Sequence, residues 1–340
     1  MINKSIFKIG ILTLLLLSGF ITKAQTEVQD ILQAGLSDAK TYLGKYIEPA
    51  TSTLGYLVNT GWYYRGKVKN TGRFELSLIT NAAFLPEEKQ SFLFRESDYK
   101  HLSLPNGQEQ AQVPTLLGAK ESADVLVQFE DENGETQSFS LMLPGGLLDE
   151  KLNTVPLAFL QGSVGLGWGL ELKARVIPKI KYDEVETGLY GVGLQYEISR
   201  MFSNKEKTSL VVSLLAGYTR LEASYALESA QVSSDKANLE SNVSAWQFAL
   251  LGSTNFKTLN FFGGLNYNLQ NRETGLLGSY TINEGELAGQ TITNPFTIDQ
   301  EDAVLSGTLG LNLRLGFFDL SAAYNFQEIN TLNVGLNFGI

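Results

Sequence analysis

The 340 residues contain no cysteine and a single histidine, His101. Without thiols the chain has no disulfide and no lipid-attachment cysteine, and with one imidazole it lacks the Cys/His sets that hold zinc. Past the amino-terminal segment no apolar stretch reaches the roughly 18 to 20 residues of a spanning helix, so helical membrane spans are not expected. A basic excess is missing as well: 26 Lys and Arg against 36 Asp and Glu leave a formal charge of −10. Nucleic-acid backbones select basic footprints, which removes nucleic acid from the expected partners. Proline is sparse, at 8, whereas 33 Gly and 14 Tyr sit in a composition that is 43% apolar. The mean hydropathy of −0.04 is what results when apolar and polar residues alternate.

The chain begins with Lys4 and Lys8, runs through the apolar stretch 9–21 and reaches Thr22, Lys23 and Ala24, the order of a secretory signal peptide. Residues 1–24 are expected to be removed on export. They carry three Lys and no acid, so the formal charge of the remainder falls from −10 to −13. At the other end Leu332, Val334, Leu336, Phe338 and Ile340 alternate with Asn333, Gly335, Asn337 and Gly339. A period of two with one apolar face and one small or polar face is a strand. With export, it predicts an all-β fold, a transmembrane antiparallel β-barrel that is apolar toward lipid and polar toward its lumen. The expected location is the cell outer membrane, with its lipid and lipopolysaccharide as surroundings.

Between these ends, Val28, Ile31, Leu32, Ala39, Tyr42, Leu43 and Tyr46 recur at three and four, the spacing of one helical face, and Pro49 is expected to end that helix. Residues 25–50 therefore read as a helical segment, packed at a mouth or plugging the lumen, and 51–340 as the barrel. Alternation predicts strands over 54–64, 73–84, 157–166, 170–180, 188–198, 209–225, 243–254, 259–270, 303–315, 317–327 and 331–340. The last of these should close the barrel against 54–64. That count is odd where single-chain bacterial barrels are even. Segment 278–283, or the hairpin 125–143 turning at Asn133-Gly134, is needed to bring the total to 12 or 14. Residues 86–156, weakly patterned and rich in charge, are expected to be a surface or capping insertion. Short turns at 167–169, 204–207, 255–258 and 316–317 alternate with long connections at 229–240 and 271–302. Trp62, Tyr63, Tyr64, Tyr196, Tyr218, Phe317, Phe318 and Tyr324 read as interfacial aromatics.

Three stretches carry a resemblance: Tyr46-Ile47-Glu48-Pro49 with Asn59-Thr60-Gly61-Trp62-Tyr63; Gln161-Gly162-Ser163-Val164-Gly165-Leu166; and Glu171-Leu172-Lys173-Ala174-Arg175-Val176-Ile177-Pro178. They resemble an uncharacterised family of Bacteroidota outer-membrane proteins, a domain of unknown function, over nearly all of the exported chain. The resemblance implies an outer-membrane barrel and supplies no ligand or reaction. A more distant likeness, in architecture alone, is to the long-chain fatty-acid transporters, whose fourteen-stranded barrel holds an N-terminal plug.

Catalytic chemistry has little support. His101 stands two residues before Ser103, which looks similar to barrel phospholipases in which a His activates a Ser. Leu104 and Pro105 interrupt that pattern, a loop position is the simpler account, and no catalytic residue is expected. The acidic run of Glu130, Asp131, Glu132 and Glu135 lacks the twelve-residue spacing of a calcium loop, and no metal or cofactor is expected. The lumen face carries more. Glu171, Lys173 and Arg175 project one way from a strand, Gln195 and Glu197 from the next, and Asn312 and Arg314 from a late one. Toward hydrocarbon each charge would cost about 2 to 4 kcal/mol near the midplane, which turns the row inward. Two readings stay open. The row lines a channel or transporter for small solutes, hydrophobic ones included, or it forms internal ion pairs that fill a closed lumen in a structural barrel holding an envelope protein partner. A barrel lipid hydrolase centred on Ser103 is the minor alternative.

Overall fold

The computed structural model describes residues 31–130, 134–147, 153–182, 185–202, 209–226, 237–282 and 287–339. The expected signal peptide, Asp131 and Glu132 of the acidic run, Asn133 of the expected hairpin tip, the expected short turn 204–207 and most of the expected connection 229–240 lie outside these residues. A 3-10 turn (Ile31–Ala34) leads into α1 (Leu36–Asn59). The strands are β1 (Phe74–Phe84), β2 (Ser91–Arg95), β3 (Leu102–Ser103), β4 (Gln110–Pro114), β5 (Ala123–Glu130), β6 (Thr136–Leu143), β7 (Thr154–Gly167), β8 (Leu170–Tyr182) and β9 (Val185–Tyr196). They continue with β10 (Leu210–Ala226), β11 (Asn238–Thr254), β12 (Leu259–Leu277), β13 (Ser279–Thr281), β14 (Thr291–Thr293), β15 (Phe296–Arg314), β16 (Phe318–Phe326) and β17 (Thr331–Gly339).

Ten strands close an antiparallel barrel in the order β1-β17-β16-β15-β12-β11-β10-β9-β8-β7, and β7 returns to β1 from Phe74↔Val164 to Phe84↔Thr154. The fold is a transmembrane β-barrel, with ten strands in place of the expected 12 or 14 and of the fourteen implied by the transporter likeness. Three expectations account for the difference. The hairpin β5–β6 joins β3 in a separate three-stranded sheet, and β13 pairs only with β14. Segment 54–64 is no strand: it is the end of α1 followed by extended chain inside the barrel. β17 accordingly closes on β1, from Glu75↔Gly339 to Ala83↔Thr331.

On β12 and β17 the alternation is largely inverted relative to a soluble core, while elsewhere apolar residues also face inward, among them Val155, Leu157, Phe159, Leu189, Leu221 and Val243 clustered with Tyr56, Leu57 and Val58. On β12 the buried positions include Asn260, Asn266, Asn268, Gln270 and Arg272, beside Phe262 and Leu276, while Phe261, Leu265, Tyr267 and Leu269 are exposed. The same holds for β17, where Asn333 and Asn337 are buried and Leu332, Leu336 and Phe338 exposed. Along β12, Leu259 to Leu269 covers a band about 25 Å tall at about 3.4 Å per residue and a tilt of about 45°. The upper edge of this belt is in register across strands: Trp246 pairs with Leu269 and Leu269 with Ala303. One step beyond, Asn271, Glu273, Glu301 and Asp299 take over the exposed face. Tyr218 and Trp246, with ring centroids 5.0 Å apart, mark this edge, and Phe317, Phe318 and Phe338 the other.

α1 buries Ala39, Tyr42, Leu43, Tyr46 and Ile47 in its first half and Tyr56, Leu57 and Val58 in its second. Pro49 lies inside the helix and does not end it. An interior Pro costs about 3 kcal/mol, and the wall and cap that enclose both halves outweigh that local preference. The first half packs on β2–β6 and their connections, which stand over one mouth of the barrel: Tyr46 Oη donates to the carbonyl of Gly145, and the Leu116 amide to the carbonyl of Tyr46.

Candidate functional site

The lumen is filled by the chain's own residues 55–72. Gly55 lies against the Gln270 side chain, so that a Cβ there would meet its amide oxygen, and Asn81 Nδ2 donates to the Leu57 carbonyl at 2.9 Å. After Asn59 the helix gives way to extended chain through Gly61, whose φ of +77 suits glycine. Trp62 is fully buried, its indole lying on Gly193 of β9 and Gly217 of β10, where any Cβ would overlap the ring. Further along, Tyr63 Oη donates to Asn266 Oδ1 at 2.8 Å and the Gly66 amide to Ser253 Oγ at 2.8 Å. Ser213 Oγ donates to the Gly66 carbonyl.

Arg175 secures the end of α1. Its guanidinium donates to the carbonyls of Val58 and Thr60 at 2.7 and 3.2 Å, and to Gln161 Oε1 at 2.9 Å. Its carbon centre stands 3.5 Å from the Trp62 ring centroid and 4.4 Å from that of Phe159. A cation at a helix carboxyl end meets the unpaired carbonyls and the negative end of the helix dipole. With aromatic faces on it, the charge is held with no carboxylate partner among the described residues.

Nearer the short-turn mouth is a balanced network of three carboxylates and three cations. Lys69 Nζ lies 2.9 Å from Glu171 and 3.1 Å from Glu75; Lys173 lies 3.3 Å from Glu171 and donates to the Trp62 carbonyl. Arg65 reaches Glu75 at 3.1 Å and Asp319 at 3.8 Å. Backbone amides join in: Lys69 donates to Glu171 Oε2 and Val68 to Glu197 Oε2. The partners so engaged belong to the wall or to the threaded segment, which offsets much of the cost of burying the charges, with Arg65 Nε left without a partner among the described residues.

The row selected from sequence is thus placed as follows. Glu171, Lys173, Arg175, Gln195, Glu197 and Asn312 are buried in the lumen, and the first five meet residues 55–72 or, for Glu197, also Arg200; Gln195 Nε2 donates to the carbonyls of Arg65 and Gly66. Asn312 bonds Asp319 instead. Arg314 stands apart at the end of β15, donating to the Phe256 carbonyl. Trp62, Tyr63 and Tyr64, read as interfacial aromatics, are plug residues buried in the lumen.

At the mouth from which the connections 85–153 and 278–295 leave, α1 is clasped by its cap. Asp38, buried, accepts from the amides of Lys100, His101 and Leu102. A groove of about 730 Å³ opens over Gly44, with Phe92, Pro49 and Ile298 as apolar wall and Lys40, Lys45 and Lys89 at its rim. His101 and Ser103 each bond a carbonyl of β5, Gln128 and Leu126, as residues of a strand edge do. Among the described residues no group of His, Asp and Glu is placed to hold a metal.

Among the described residues the ion pairs Lys45–Asp98, Lys89–Glu48 and Lys89–Glu328 hold this cap. The hydrogen bond from Lys45 holds the Asp98 carboxyl below its ordinary 3.8, and that from Lys89 holds Glu328 below its ordinary 4.5. A carboxyl lowered by folding contributes stability above its unfolded value and loses it as the pH falls through the folded one. These two carboxylates should therefore contribute in full well above 4.5, with the Glu328 contribution declining as the pH falls below 4.5 and that of Asp98 below 3.8, each lost as the pH passes through its lowered folded value. Hydrogen-exchange protection factors of residues 86–147 measure this, and loosening at neutral pH would contradict it.

A family model described as a family of unknown function, DUF6588, matches residues 3–340. No curated protein matches the sequence. Among solved structures, the translocator domain of the autotransporter NalP from Neisseria meningitidis is similar at 11% identity, covering 88% of this chain and 96% of that one, with a TM-score of 0.29. The attachment invasion locus protein Ail of Yersinia pestis matches at 7% identity over 79% and 99%, TM-score 0.26. The outer membrane channel DcaP of Acinetobacter baumannii matches at 9% identity over 82% and 100%, TM-score 0.18. No residue role passes from them to this chain.

Proposed function

The chain belongs to this family, DUF6588, and from its own geometry we propose that it is an exported outer-membrane barrel, non-enzymatic and sealed at rest by its own residues 55–72. Its apolar belt would sit in the lipid and lipopolysaccharide of that membrane, and its capped mouth would hold an envelope protein partner. The observation that carries the reading is continuity: the threaded segment bonds wall residues of β1, β8, β10, β11 and β12 in turn. Charges that would line an open pore are consumed by backbone amides and carbonyls of the plug. Purified protein, its folding checked by heat-modifiable migration on a gel, should give no steady conductance in a planar bilayer. Stable open steps from the unmodified protein would sink this reading.

Passage of a small solute is the second reading, and one observation favours it. Asn59, Thr219, Gln247 and Gln270 are buried along the flank of α1 with polar side-chain atoms that have no partner among the described residues. Buried amides of this kind are satisfied by water, so this seam would be the hydrated path if the plug shifted. Solute flux into liposomes that appears only when the plug is loosened would favour it.

A further inference from the structure

Between Thr51 and Gly72 the partners of the chain change in one direction only. Thr51 meets Gln300 and Tyr56 meets Glu328, both at the mouth with the long connections. Tyr63 meets Asn266 midway. Lys69 meets Glu171, and Gly72 meets Gly165, beside the β7–β8 turn. The chain therefore crosses the lumen once and turns into β1 at the short-turn mouth.

We infer that the barrel threads its own chain through its lumen and presents Ile31 and the first half of α1 on the outer face of the membrane. This rests on the outer-membrane reading above. A barrel whose chain simply enters β1 at the short-turn mouth keeps its amino end on the inner side; one lumen crossing transfers it to the other. Whatever precedes Ile31 joins the described chain at the capped mouth, because Ile31 packs there with α1 and β5.

The orientation has two supports. Outer-membrane barrels turn their longer connections outward and their short turns toward the periplasm; here the two longest connections, 85–153 and 278–295, leave from the capped mouth, and of the four at the other mouth three are turns of 2 to 4 residues and one, 197–209, is longer. At that same mouth β12 and β15 continue past the apolar belt with Asn271, Glu273, Asp299 and Glu301 exposed. The wall projects into water there, whereas the opposite mouth ends at the belt's edge with Phe317 and Trp168 exposed. The first half of α1 and residues 86–130 and 134–147 then form one outward body, and the groove over Gly44 is reached from outside the cell.

Because the chain has no cysteine, single introduced thiols read this directly. Lys40→Cys puts one on an exposed position of α1 in the outward body. Trp168→Cys puts one on the β7–β8 turn, where the native side chain is 89% exposed. With a membrane-impermeant maleimide, Lys40→Cys should label as fully in intact cells as in permeabilised ones, and Trp168→Cys only after permeabilisation. Ser37→Cys, also exposed, replaces the first variant if that one fails to assemble. Labelling of Trp168→Cys but not of the α1 thiol in intact cells overturns the inference and leaves the outer-membrane reading standing, as does labelling of neither in protein that fractionates with the outer membrane. Labelling of neither, in protein recovered elsewhere, overturns both.

Discussion

Arg175→Ala is expected to unseat the plug. The substitution removes charge-assisted hydrogen bonds to the Val58 and Thr60 carbonyls, worth about 1.5 to 3 kcal/mol each, and a desolvated cation–π contact with Trp62, worth about 2 kcal/mol. Part of this is recovered by water entering the space, so a net loss of about 4 kcal/mol is reasonable, or about a thousandfold in the ratio of seated to unseated plug. In a planar bilayer the unmodified barrel should be silent and the variant should flicker open. Arg175→Lys keeps the charge but loses the planar stack and the forked donors, and should fall between them. The buried Trp62 supplies a second readout, since its emission should shift toward that of an indole in water. A variant as silent as the parent, with Trp62 emission unchanged, would remove Arg175 from its assigned role.

How much of this was legible beforehand differs between wall and plug. A strand with lipid on one side and lumen on the other must alternate, and β12 and β17 show that pattern residue by residue. Charge direction was legible too, because Glu171, Lys173 and Arg175 share one face of β8 and cannot face hydrocarbon. Strand number was not. β5–β6 and β13 obey the same period of two whether they join the barrel or form small sheets beside it, and periodicity carries no information about which neighbour a strand selects.

The plug was misread for a related reason. Leu54, Tyr56 and Val58 alternate as a strand would, while Leu54, Leu57 and Val58 also fit a helical face; a short apolar stretch cannot be told apart by period alone. One signal did distinguish them. Trp62, Tyr63 and Tyr64 are consecutive, and a girdle strand would point the middle ring away from its neighbours into the lumen. A second signal sits on the opposite wall: Gly191, Gly193 and Gly217 share the inward face, and inward glycines mark close approach of something bulky, here the Arg175 stem and the Trp62 ring.

Glu171→Gln should destabilise the whole barrel more than any other charge-neutralising substitution in the lumen. It leaves Lys69, Lys173 and Arg65 facing only Glu75 and Asp319, and it weakens acceptance of the Lys69 amide. Removing one partner of a buried pair costs about 3 to 5 kcal/mol, because the remaining charge stays desolvated. Urea unfolding in lipid vesicles, followed by tryptophan fluorescence, would register this as a lower midpoint with little change in slope. The informative companion is Glu171→Gln with Lys173→Met. Replacing both members restores equal numbers of cations and carboxylates, and buried pairs exchanged together are often nearly neutral. The double variant should recover most of the loss, short of the bond from Lys173 to the Trp62 carbonyl. If its midpoint instead falls by the sum of the two single effects, the residues act independently, and charge balance is not what holds the threaded segment in place.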